Sequence, residues 1–502
     1  MAEFDTVIWK GSEEDGGDGI VEVAGPTVLR GDRVADLPMT EDEALIGSVV
    51  EVARLAEQIA ARIAAGPVTT AVSAEEIREH LASRFDLSSP LPLPTVVDEV
   101  MAMLETWNVQ VTHPRYLGLF NPSVTPASVV ADALVAAYNP QLAAWRHAPA
   151  ANEIERFVLE RIMACFGYQP ESSFACFTSG GSEANLSALL AALVARFPQF
   201  VRCGARGLPR SPLVFVTRES HHSIHKAAQI AGLGAEAVHE VPVDTDGRMA
   251  VDALERQLQE ERARGSEPFF VVGTAGSTAT GIIDPLVELA ELCQRQGLWF
   301  HVDAAWGGAV ALSAKLRHHL DGIELADSIT CDAHKWLAVP MAAGMFFCRH
   351  RDAPHQAFDV SAPYMPVARD GDLCDPFASG VQWARRFIGL KLFMSLATLG
   401  MPRYARMIED QTELGEYLRE ALKRYGWQIV NRTPLPLVCF TREGLDPAAL
   451  LQELYGRQIA WLSSVPVEGR PVLRACITSF RTARRDIDEV VGELTRLATR
   501  SA

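Results

Sequence analysis

Apolar residues follow different periodicities in successive parts of this 502-residue chain. Between Thr40 and Trp107 they recur at helical spacing, which predicts three helices with no strand between them. From Phe174 onward, short apolar runs alternate with amphipathic stretches, and this alternation predicts a largely parallel sheet with helices on both faces. The predicted strands are 174–177, 213–216, 269–272, 298–302, 329–331 and 345–348.

The two ends of the chain depart from this α/β pattern. Residues 1–40 are acidic and contain several glycines, which predicts a poorly ordered or strap-like arm. After Arg386 a long amphipathic helix leads to short strands near 427–430, 437–440 and 472–477 and a closing helix at 484–499. We therefore divide the chain into a helical N-terminal segment (1–110), a large α/β domain (111–395) and a small α+β C-terminal domain (396–502).

Composition and charge are those of a soluble globular protein. Hydrophobic residues make up 48% and charged residues 22% of the chain. A net charge of −17 argues against nucleic acid or an anionic membrane as a partner. There is no apolar run of 18 residues and the first residues are acidic, so we expect neither a transmembrane segment nor a signal peptide. Nine scattered cysteines without a Cys-x-x-Cys pair favour the cytoplasm.

Two of the predicted strands end on residues with ionisable side chains. The run 298–302 ends on Asp303, and the run 327–331 ends on Asp332, which is followed by His334 and Lys335. Open α/β sheets bind ligands at such strand ends. A lysine amine can hold pyridoxal phosphate as a Schiff base, and a carboxylate can keep the pyridine nitrogen protonated. The alternative is that Asp303 caps a helix and Lys335 is solvated.

The residues around these two positions carry a resemblance. The stretches His-Val-Asp-Ala-Ala-Trp (301–306) and Asp-Ala-His-Lys-Trp (332–336) resemble signatures of the group II pyridoxal-phosphate-dependent amino-acid decarboxylases, the aromatic amino acid, glutamate and cysteine sulfinate decarboxylase family. The resemblance extends from about Trp107 to the C-terminus. It implies the aspartate-aminotransferase-like fold (fold type I), with a mostly parallel central sheet. It also implies a homodimer whose site lies at the interface and whose N-terminal segment wraps around the partner.

A glycine turn follows the first predicted strand of the sheet. Thr178-Ser-Gly-Gly-Ser-Glu-Ala-Asn opens a helix, and free N–H groups at a helix N-terminus bind phosphate. Alone, the motif also fits an ordinary turn and N-cap. By the resemblance, Gly181 and Ser182 hold the cofactor phosphate with His334. The resemblance also places Ala305 against one face of the ring and Thr278 beside it.

Three histidines lie close together at 221, 222 and 225. His221 and His225 are four residues apart, a spacing that allows metal binding on a helix, but no acidic third ligand lies nearby. By the resemblance, His221 stacks on the pyridine ring instead. We expect no metal.

A long segment rich in Pro, Gly and Asp, 350–383, predicts a lid over the site. By the resemblance, Tyr364 in this segment donates a proton after CO₂ leaves, so the reaction converts an L-amino acid to its amine. Relatives with phenylalanine at this position tend to make aldehydes. The alternative is that Tyr364 packs on the closed lid. An aldehyde synthase, another pyridoxal-phosphate enzyme such as an aminotransferase and a non-catalytic relative that binds the cofactor stay open as rival functions.

The substrate is the least determined feature. The resemblance makes Phe120, Asn121, Gln141 and Arg146 candidate substrate residues, although surface or interface polarity explains the polar ones equally well. Their polarity slightly favours a polar or acidic amino acid over an aromatic one. Basic side chains at 385, 386 and 474 match family positions, and the sequence does not decide which of them contacts phosphate or substrate.

Overall fold

The computed structural model describes residues 41–120, 123–360, 364–365 and 373–500. The predicted arm at 1–40 and the candidate substrate residue Asn121 lie outside the described residues. The chain divides into two units, Met1–Ile46 and Gly47–Ala502. Of the first unit the structure describes 41–46, which are helical. The domain boundaries at 110 and 395 stay predictions.

The described part of the chain alternates helices and strands after an all-helical beginning. Its helices are α1 (Glu41–Ala65), α2 (Ala74–Arg84), α3 (Leu93–Trp107), α4 (Pro126–Tyr138), α5 (Pro149–Cys165), α6 (Gly181–Arg196), α7 (Phe200–Cys203), α8 (Ser223–Ile230), α9 (Val251–Ala263), α10 (Leu286–Gln296), α11 (Ala353–Phe358), α12 (Leu390–Leu399), α13 (Met401–Arg424), α14 (Pro447–Gly456) and α15 (Arg484–Arg500). Its strands are β1 (Phe174–Thr178), β2 (Pro212–Thr217), β3 (Val238–Val241), β4 (Glu267–Thr274), β5 (Trp299–Asp303), β6 (Ser328–Asp332), β7 (Gly344–Cys348), β8 (Gln428–Ile429), β9 (Leu437–Thr441), β10 (Ser463–Val467) and β11 (Arg470–Cys476).

The three predicted N-terminal helices are present as α1, α2 and α3. Helix α2 begins with a capping box, in which Ser73 accepts from the backbone N–H of Glu76 and the Glu76 side chain accepts from that of Ser73. Among the described residues no helix is long and apolar enough to cross a membrane.

The central sheet has seven strands in the order β1-β7-β6-β5-β4-β2-β3. Strands β3, β2, β4, β5 and β6 run parallel, and β7 runs antiparallel to β6 and β1. All six predicted runs are strands of this sheet. Strand β3 was not predicted, because this edge strand is partly exposed and carries polar residues between its two valines.

Helices cover both faces of the central sheet. Side chains of successive strand residues point to opposite faces. Val214 and Val216 accordingly pack with α6 and α8, whereas Phe215 packs with α5, α9 and α10 on the other side. The largely parallel, two-faced sheet predicted from the sequence is confirmed.

The C-terminal part contains an antiparallel sheet in the order β10-β11-β9-β8, packed with α13, α14 and α15. Its strand β10 was not predicted. It is an edge strand with a half-exposed pattern and contains Pro466, which is tolerated at a sheet edge because no ladder hydrogen bond is lost there.

Asp284 has a local pattern that the tertiary structure overrides. An aspartate followed by a proline is the pattern of a helix N-cap, but α10 begins at Leu286 and has no side-chain cap. The Asp284 carboxylate instead accepts hydrogen bonds from the backbone N–H groups of Met249 (2.7 Å) and Thr274 (2.8 Å). It therefore ties the end of β4 to a distant loop, and its role is structural.

Candidate active site

The predicted cofactor residues come from five separate segments and line one cavity of about 350 Å³. The cavity lies where β4, β5 and β6 end and α6 begins. A larger cavity of about 790 Å³ is lined by β1, α5 and Arg385 and contains none of the predicted cofactor residues. The chemistry therefore identifies the smaller cavity as the candidate active site. Its predicted lining residues are Gly181, Ser182, His221, Thr278, Asp303, Ala305, His334 and Lys335.

Lys335 pairs with one buried carboxylate and feels the charge of a second. Its Nζ lies 3.0 Å from Oδ2 of Asp332, and the Asp332 side chain is buried. Burial alone would lower the pKa of Lys335, but the charges of Asp332 and Asp303 outweigh it and raise the pKa above its ordinary value. The amine therefore stays protonated beside Asp332 until it reacts with a carbonyl group.

Asp303 is fixed at the end of β5. Its Oδ2 accepts a hydrogen bond from Nδ2 of Asn185 (2.9 Å), and its Oδ1 accepts one from the backbone N–H of Ala305 (3.1 Å). The side chain is buried. Donors on both oxygens stabilise a carboxylate that can face a cationic ring nitrogen.

The glycine turn and the first residues of α6, 179–182, form a site for an anion that we call the phosphate cup. Within the described part of the chain, the N–H groups of Gly181 and Ser182 have no hydrogen-bond acceptor. They lie at the positive end of the α6 dipole. A side chain at either glycine would crowd the cup: a Cβ on Gly181 would lie 2.9 Å from Oδ2 of Asp332, and one on Gly180 would lie 3.3 Å from Cε1 of His334.

His334 is held beside the phosphate cup by the residue that precedes β7. Its Nδ1 accepts from the backbone N–H of Ala343 (3.0 Å), so the neutral ring carries its proton on Nε2. Burial lowers the pKa of His334, against the effect of Asp332 and with that of Lys335. The neutral ring is thus a hydrogen-bond donor. The phosphate cup, the buried carboxylate of Asp303 and the amine of Lys335 together fit pyridoxal phosphate.

His221 follows β2 and is anchored at one ring nitrogen. Its Nδ1 accepts from the backbone N–H of Ser223 (3.2 Å) and lies 2.8 Å from Ser223 Oγ. His221 is exposed at the cavity. Partial desolvation of its ring lowers its pKa, the charge of Asp303 opposes this, and the charge of Lys335 adds to it. The ring of His225 lies next to His222, with centroids 5.8 Å apart. Within the described residues no three His, Cys, Asp or Glu side chains are grouped as metal ligands.

The structure brings only part of the predicted substrate set to this cavity. Phe120 is buried and stacks on the cavity-lining Trp306, with ring centroids 4.5 Å apart. Gln141 and Arg146 are exposed. Tyr364 is 77% exposed, does not line the cavity, and packs near Trp383 at 6.2 Å between ring centroids. The functional roles of all these residues stay predictions.

The three family-matched arginines differ sharply in environment. Arg385 pairs with the buried Glu155 at 2.6 Å, and the exposed Arg386 pairs with Asp132 at 3.3 Å. Arg474 on β11 is 1% exposed and its guanidinium lies 4.8 Å from the ring centroid of Phe120.

Arg474 retains unused hydrogen-bond donors. Its Nη1 donates to Gly118 O and Ser463 Oγ. Its Nε and Nη2 have no partner among the described residues. Nη1 of Arg385 is also buried without a hydrogen bond, but it already pairs with the Glu155 carboxylate. Of the three arginines, Arg474 is therefore the one whose buried donors have no anionic partner among the described residues.

Sequence reasoning missed two site residues, Asp332 and Asn185. Asp332 was noted only as the end of a strand, although its position three residues before Lys335 was a usable signal. Asn185 lies four residues after Gly181 and therefore on the same face of α6. Its partners are distant in sequence, so no local signal indicated its role.

Comparison with known proteins gives a consistent picture. Residues 85–443 match the model of the pyridoxal-dependent decarboxylase conserved domain. The chain is 35% identical to mouse cysteine sulfinic acid decarboxylase over 344 residues, 66% of this chain and 68% of the relative. It is 30% identical to an L-aspartate decarboxylase of Metarhizium robertsii over 367 residues, 72% and 73% of the two chains. An aromatic-L-amino-acid decarboxylase of Bacillus atrophaeus is 29% identical over 402 residues, 77% and 82%.

Solved structures resemble the whole described fold. The crystal structure of mouse CSAD matches with a TM-score of 0.83 and 30% identity, covering 91% of this chain and 99% of that chain. An Oryza sativa TDC with PLP and tryptamine matches with a TM-score of 0.84 at 23% identity, covering 93% and 99%. The second likeness concerns the fold alone.

Proposed function

This chain belongs to the pyridoxal-dependent decarboxylase family, and from that premise we propose that it converts an acidic or otherwise polar L-amino acid to its amine with release of CO₂. The aspartate-aminotransferase-like fold, the pyridoxal phosphate cofactor and the amino-acid decarboxylase class expected from the sequence are confirmed. The residue roles, the substrate preference and the subunit arrangement that follow are proposals.

The observation that carries the proposed site is the meeting of Lys335, Asp303 and the phosphate cup in one cavity. Pyridoxal phosphate supplies the ring that accepts the electron pair left when CO₂ departs. The N–H groups of Gly181 and Ser182 bind its phosphate, and Asp303 holds a proton on its ring nitrogen. Lys335, whose Nζ faces the same cavity, would hold the cofactor through its amine.

We propose that Tyr364 delivers a proton to the carbon that has lost CO₂. The residue belongs to the segment predicted as a lid, and its phenol is not buried by the rest of the described chain. Closure of such a segment excludes water and completes a site. His221, with a bound water, is the alternative donor.

Arg474 supports an acidic substrate. A buried guanidinium with unpartnered donors is costly unless an anion meets it. The Arg474 guanidinium packs on Phe120, and Phe120 stacks on the cavity-lining Trp306, so these two side chains separate Arg474 from the cavity. An arginine clamp on the departing carboxylate would oppose its loss as neutral CO₂, so we assign Arg474 to an acidic group on the substrate side chain. The relatives named for aspartate and cysteine sulfinic acid are in keeping with this assignment.

One observation favours an aromatic substrate as the second candidate. Phe120, Trp306 and Trp336 form a cluster of aromatic rings beside the cavity, with centroids 4.5 Å and 5.5 Å apart for successive pairs. Such a wall can pack against an aromatic side chain.

The N-terminal helices support a homodimer. Helices α2 and α3 contain no buried residue, and Leu87 and Leu93 are 90% and 73% exposed. Apolar surface of this extent normally lies at an interface, and a second copy of this chain is the occupant we propose. Sedimentation should give twice the mass of the 54.7 kDa chain, and a fully active monomer would contradict the proposal.

A cytoplasmic location is also proposed. All nine cysteines fall within the described residues, and each of them is a free thiol. Free thiols are typical of a reducing compartment.

The test of function is a substrate panel. The protein loaded with pyridoxal phosphate is assayed against the common amino acids, cysteine sulfinate and DOPA, with CO₂ and amine measured together by mass spectrometry. We expect amine and CO₂ in equal amounts from an acidic amino acid. An aldehyde with ammonia, or an oxo acid without CO₂, would contradict simple decarboxylation, as would the absence of any turnover.

Two variants connect the result to residues. If the phenol delivers the proton, Tyr364→Phe should lose amine formation and, with dissolved O₂ as the oxidant, gain aldehyde, ammonia and hydrogen peroxide. Arg474→Met should raise KM for the acidic substrate about 10- to 100-fold, the loss expected for hydrogen bonds to a charged group. An equal loss of kcat for every substrate would show that Arg474 only supports the fold.

A further inference from the structure

Behind Asp303, polar side chains are buried between α6 and the strands β5 and β6. His301 pairs in register with Ser328, and Asp303 with Thr330. Because side chains alternate with period two, all four point to the same face of the sheet. His301, Ser328 and Thr330 are each 0% exposed, and the reaction proposed above uses none of them. Groups buried this deeply need hydrogen-bond partners.

The carboxamide of Asn185 is the partner that they share. Its Nδ2 lies 2.9 Å from Oδ2 of Asp303, and its Oδ1 lies 2.7 Å from Oγ1 of Thr330 and 3.0 Å from Nε2 of His301. A carboxylate only accepts hydrogen bonds, so the amide must turn its NH₂ group to Asp303. Oδ1 then accepts from both Thr330 and His301.

The direction of each further hydrogen bond follows from this orientation. His301 donates through Nε2, so its Nδ1 accepts from Oγ of Ser328 at 2.9 Å. Ser328 Oγ in turn accepts from Nε1 of Trp299 at 2.9 Å. Burial lowers the pKa of His301 to about 4, which is in keeping with a neutral ring of one tautomer. If the carboxamide were rotated by 180°, its oxygen would face the Asp303 carboxylate and its NH₂ group would face the donating Nε2 of His301.

A second branch leads from the same amide to His221. Nδ2 of Asn185 also donates to Oγ of Ser223 at 2.8 Å, and Ser223 Oγ lies 2.8 Å from Nδ1 of His221. Asp303 is on β5, whereas His221 precedes α8. One NH₂ group on α6 therefore reaches both sides of the cavity.

We propose that Asn185 is the positioning residue of the cofactor site: its carboxamide orients Asp303 directly and His221 through Ser223, and His301 and Thr330 keep the carboxamide in that orientation. The inference rests on the proposed placement of the ring nitrogen at Asp303. It adds to that proposal the reason why two cofactor-binding groups from distant segments keep a fixed relative position.

The Asn185→Asp variant tests this with little change in volume. The new side chain still accepts from Thr330 and His301, but it presents an oxygen to Asp303 instead of a donor. At pH 8 we expect the affinity of the stripped protein for pyridoxal phosphate, measured by quenching of tryptophan fluorescence, to fall about 10- to 100-fold. Activity is not needed for this measurement.

The pH dependence separates positioning from damage to the fold. A pair of facing buried carboxyl groups binds a proton at a higher pH than a single carboxyl group does. In the variant, the proton shared by the pair restores a donor to Asp303. The other charged or titratable groups at this site are Lys335, Asp332, Glu183, His221, His222, His301, His334 and Cys331. They are the same in both proteins, so the affinity ratio of wild type to variant should shrink severalfold between pH 8 and pH 6. A deficit that is the same at every pH would overturn the proposal.

Two further variants make the outcome decisive. Ser187 is buried on the same helix and donates only to the backbone oxygen of Glu183 (2.9 Å), so Ser187→Ala should leave affinity unchanged. If Asp303→Asn binds and turns over like wild type, both the placement of the ring nitrogen and this inference fail. If Asp303→Asn is impaired but Asn185→Asp binds like wild type at pH 8, only the inference fails.

Discussion

Replacing Gly181 by alanine adds one methyl group at the floor of the phosphate cup. The Cβ would lie 2.9 Å from Oδ2 of Asp332, 0.5 Å less than the 3.4 Å at which ordinary contact begins. It would also lie 3.5 Å from Cβ of Ala305. The backbone of Gly181 does not need a positive φ, so alanine is compatible with the helix and the effect is one of space.

The size of the effect depends on where the Asp332 carboxylate can move. In the free protein it can swing into the cavity of about 350 Å³, so little stability should be lost. With cofactor bound, the phosphate fills that space and the overlap remains. Overpacking by one methyl group costs roughly 1–3 kcal/mol. The dissociation constant for pyridoxal phosphate should therefore rise roughly 5- to 150-fold.

The assay is a titration of the stripped protein with pyridoxal phosphate, together with thermal unfolding of the free protein. The matched control is Gly492→Ala, the same change on α15, where an added Cβ meets nothing within 4 Å. The control should bind the cofactor normally and gain up to about 1 kcal/mol of stability. Normal cofactor affinity in Gly181→Ala would show that phosphate does not bind at the start of α6.

Three further predictions follow from single residues. Lys335→Ala should abolish both the visible absorbance band of bound cofactor and turnover. Lys226 is an exposed lysine on α8, and Lys226→Ala should retain both. A retained band in Lys335→Ala would refute the lysine assignment. Phe120→Ala should destabilise the protein by about 3–5 kcal/mol, since it removes a buried ring stacked on Trp306, and denaturant unfolding with an unchanged midpoint would contradict the packing. Burial lowers the pKa of His301 from its ordinary 6.5 to about 4 in the folded protein, so the stability that depends on the neutral ring is complete above pH 6.5 and is lost as the pH falls to 4. The loss of stability amounts to about 3 kcal/mol. His301→Gln should remove one proton from the uptake that accompanies unfolding in this pH range. An unchanged dependence of stability on pH in the variant would refute the buried neutral ring.

Most of the cofactor site was predictable from the sequence because its signals are local. Asp303 and Lys335 each follow a buried apolar run, and Gly181 lies between a strand and a helix. Parallel strands bring their carboxyl ends to one edge of a sheet. Once the alternation of strands and helices is recognised, residues more than a hundred positions apart are expected in the same cavity.

Elements with half-exposed patterns were not predictable in this way. Strands β3 and β10 lie at sheet edges, so one face of each lacks the continuous apolar signal that marks a central strand. Asp284 precedes a proline, the local pattern of a helix cap, but its hydrogen bonds go to Met249 and Thr274. Tertiary contacts outweighed the local preference in both cases.

The sequence by itself thus determined the fold class, the cofactor and the residues at the strand ends, since each depends on neighbours along the chain. Only the tertiary structure decided which arginine is left with buried donors and which side chain joins Asp303 to His221. Asn185 meets His301 across 116 residues and Thr330 across 145. The orientation of its carboxamide depends on all of its hydrogen-bond partners at once, and those partners are brought together only when α6 packs on β5 and β6.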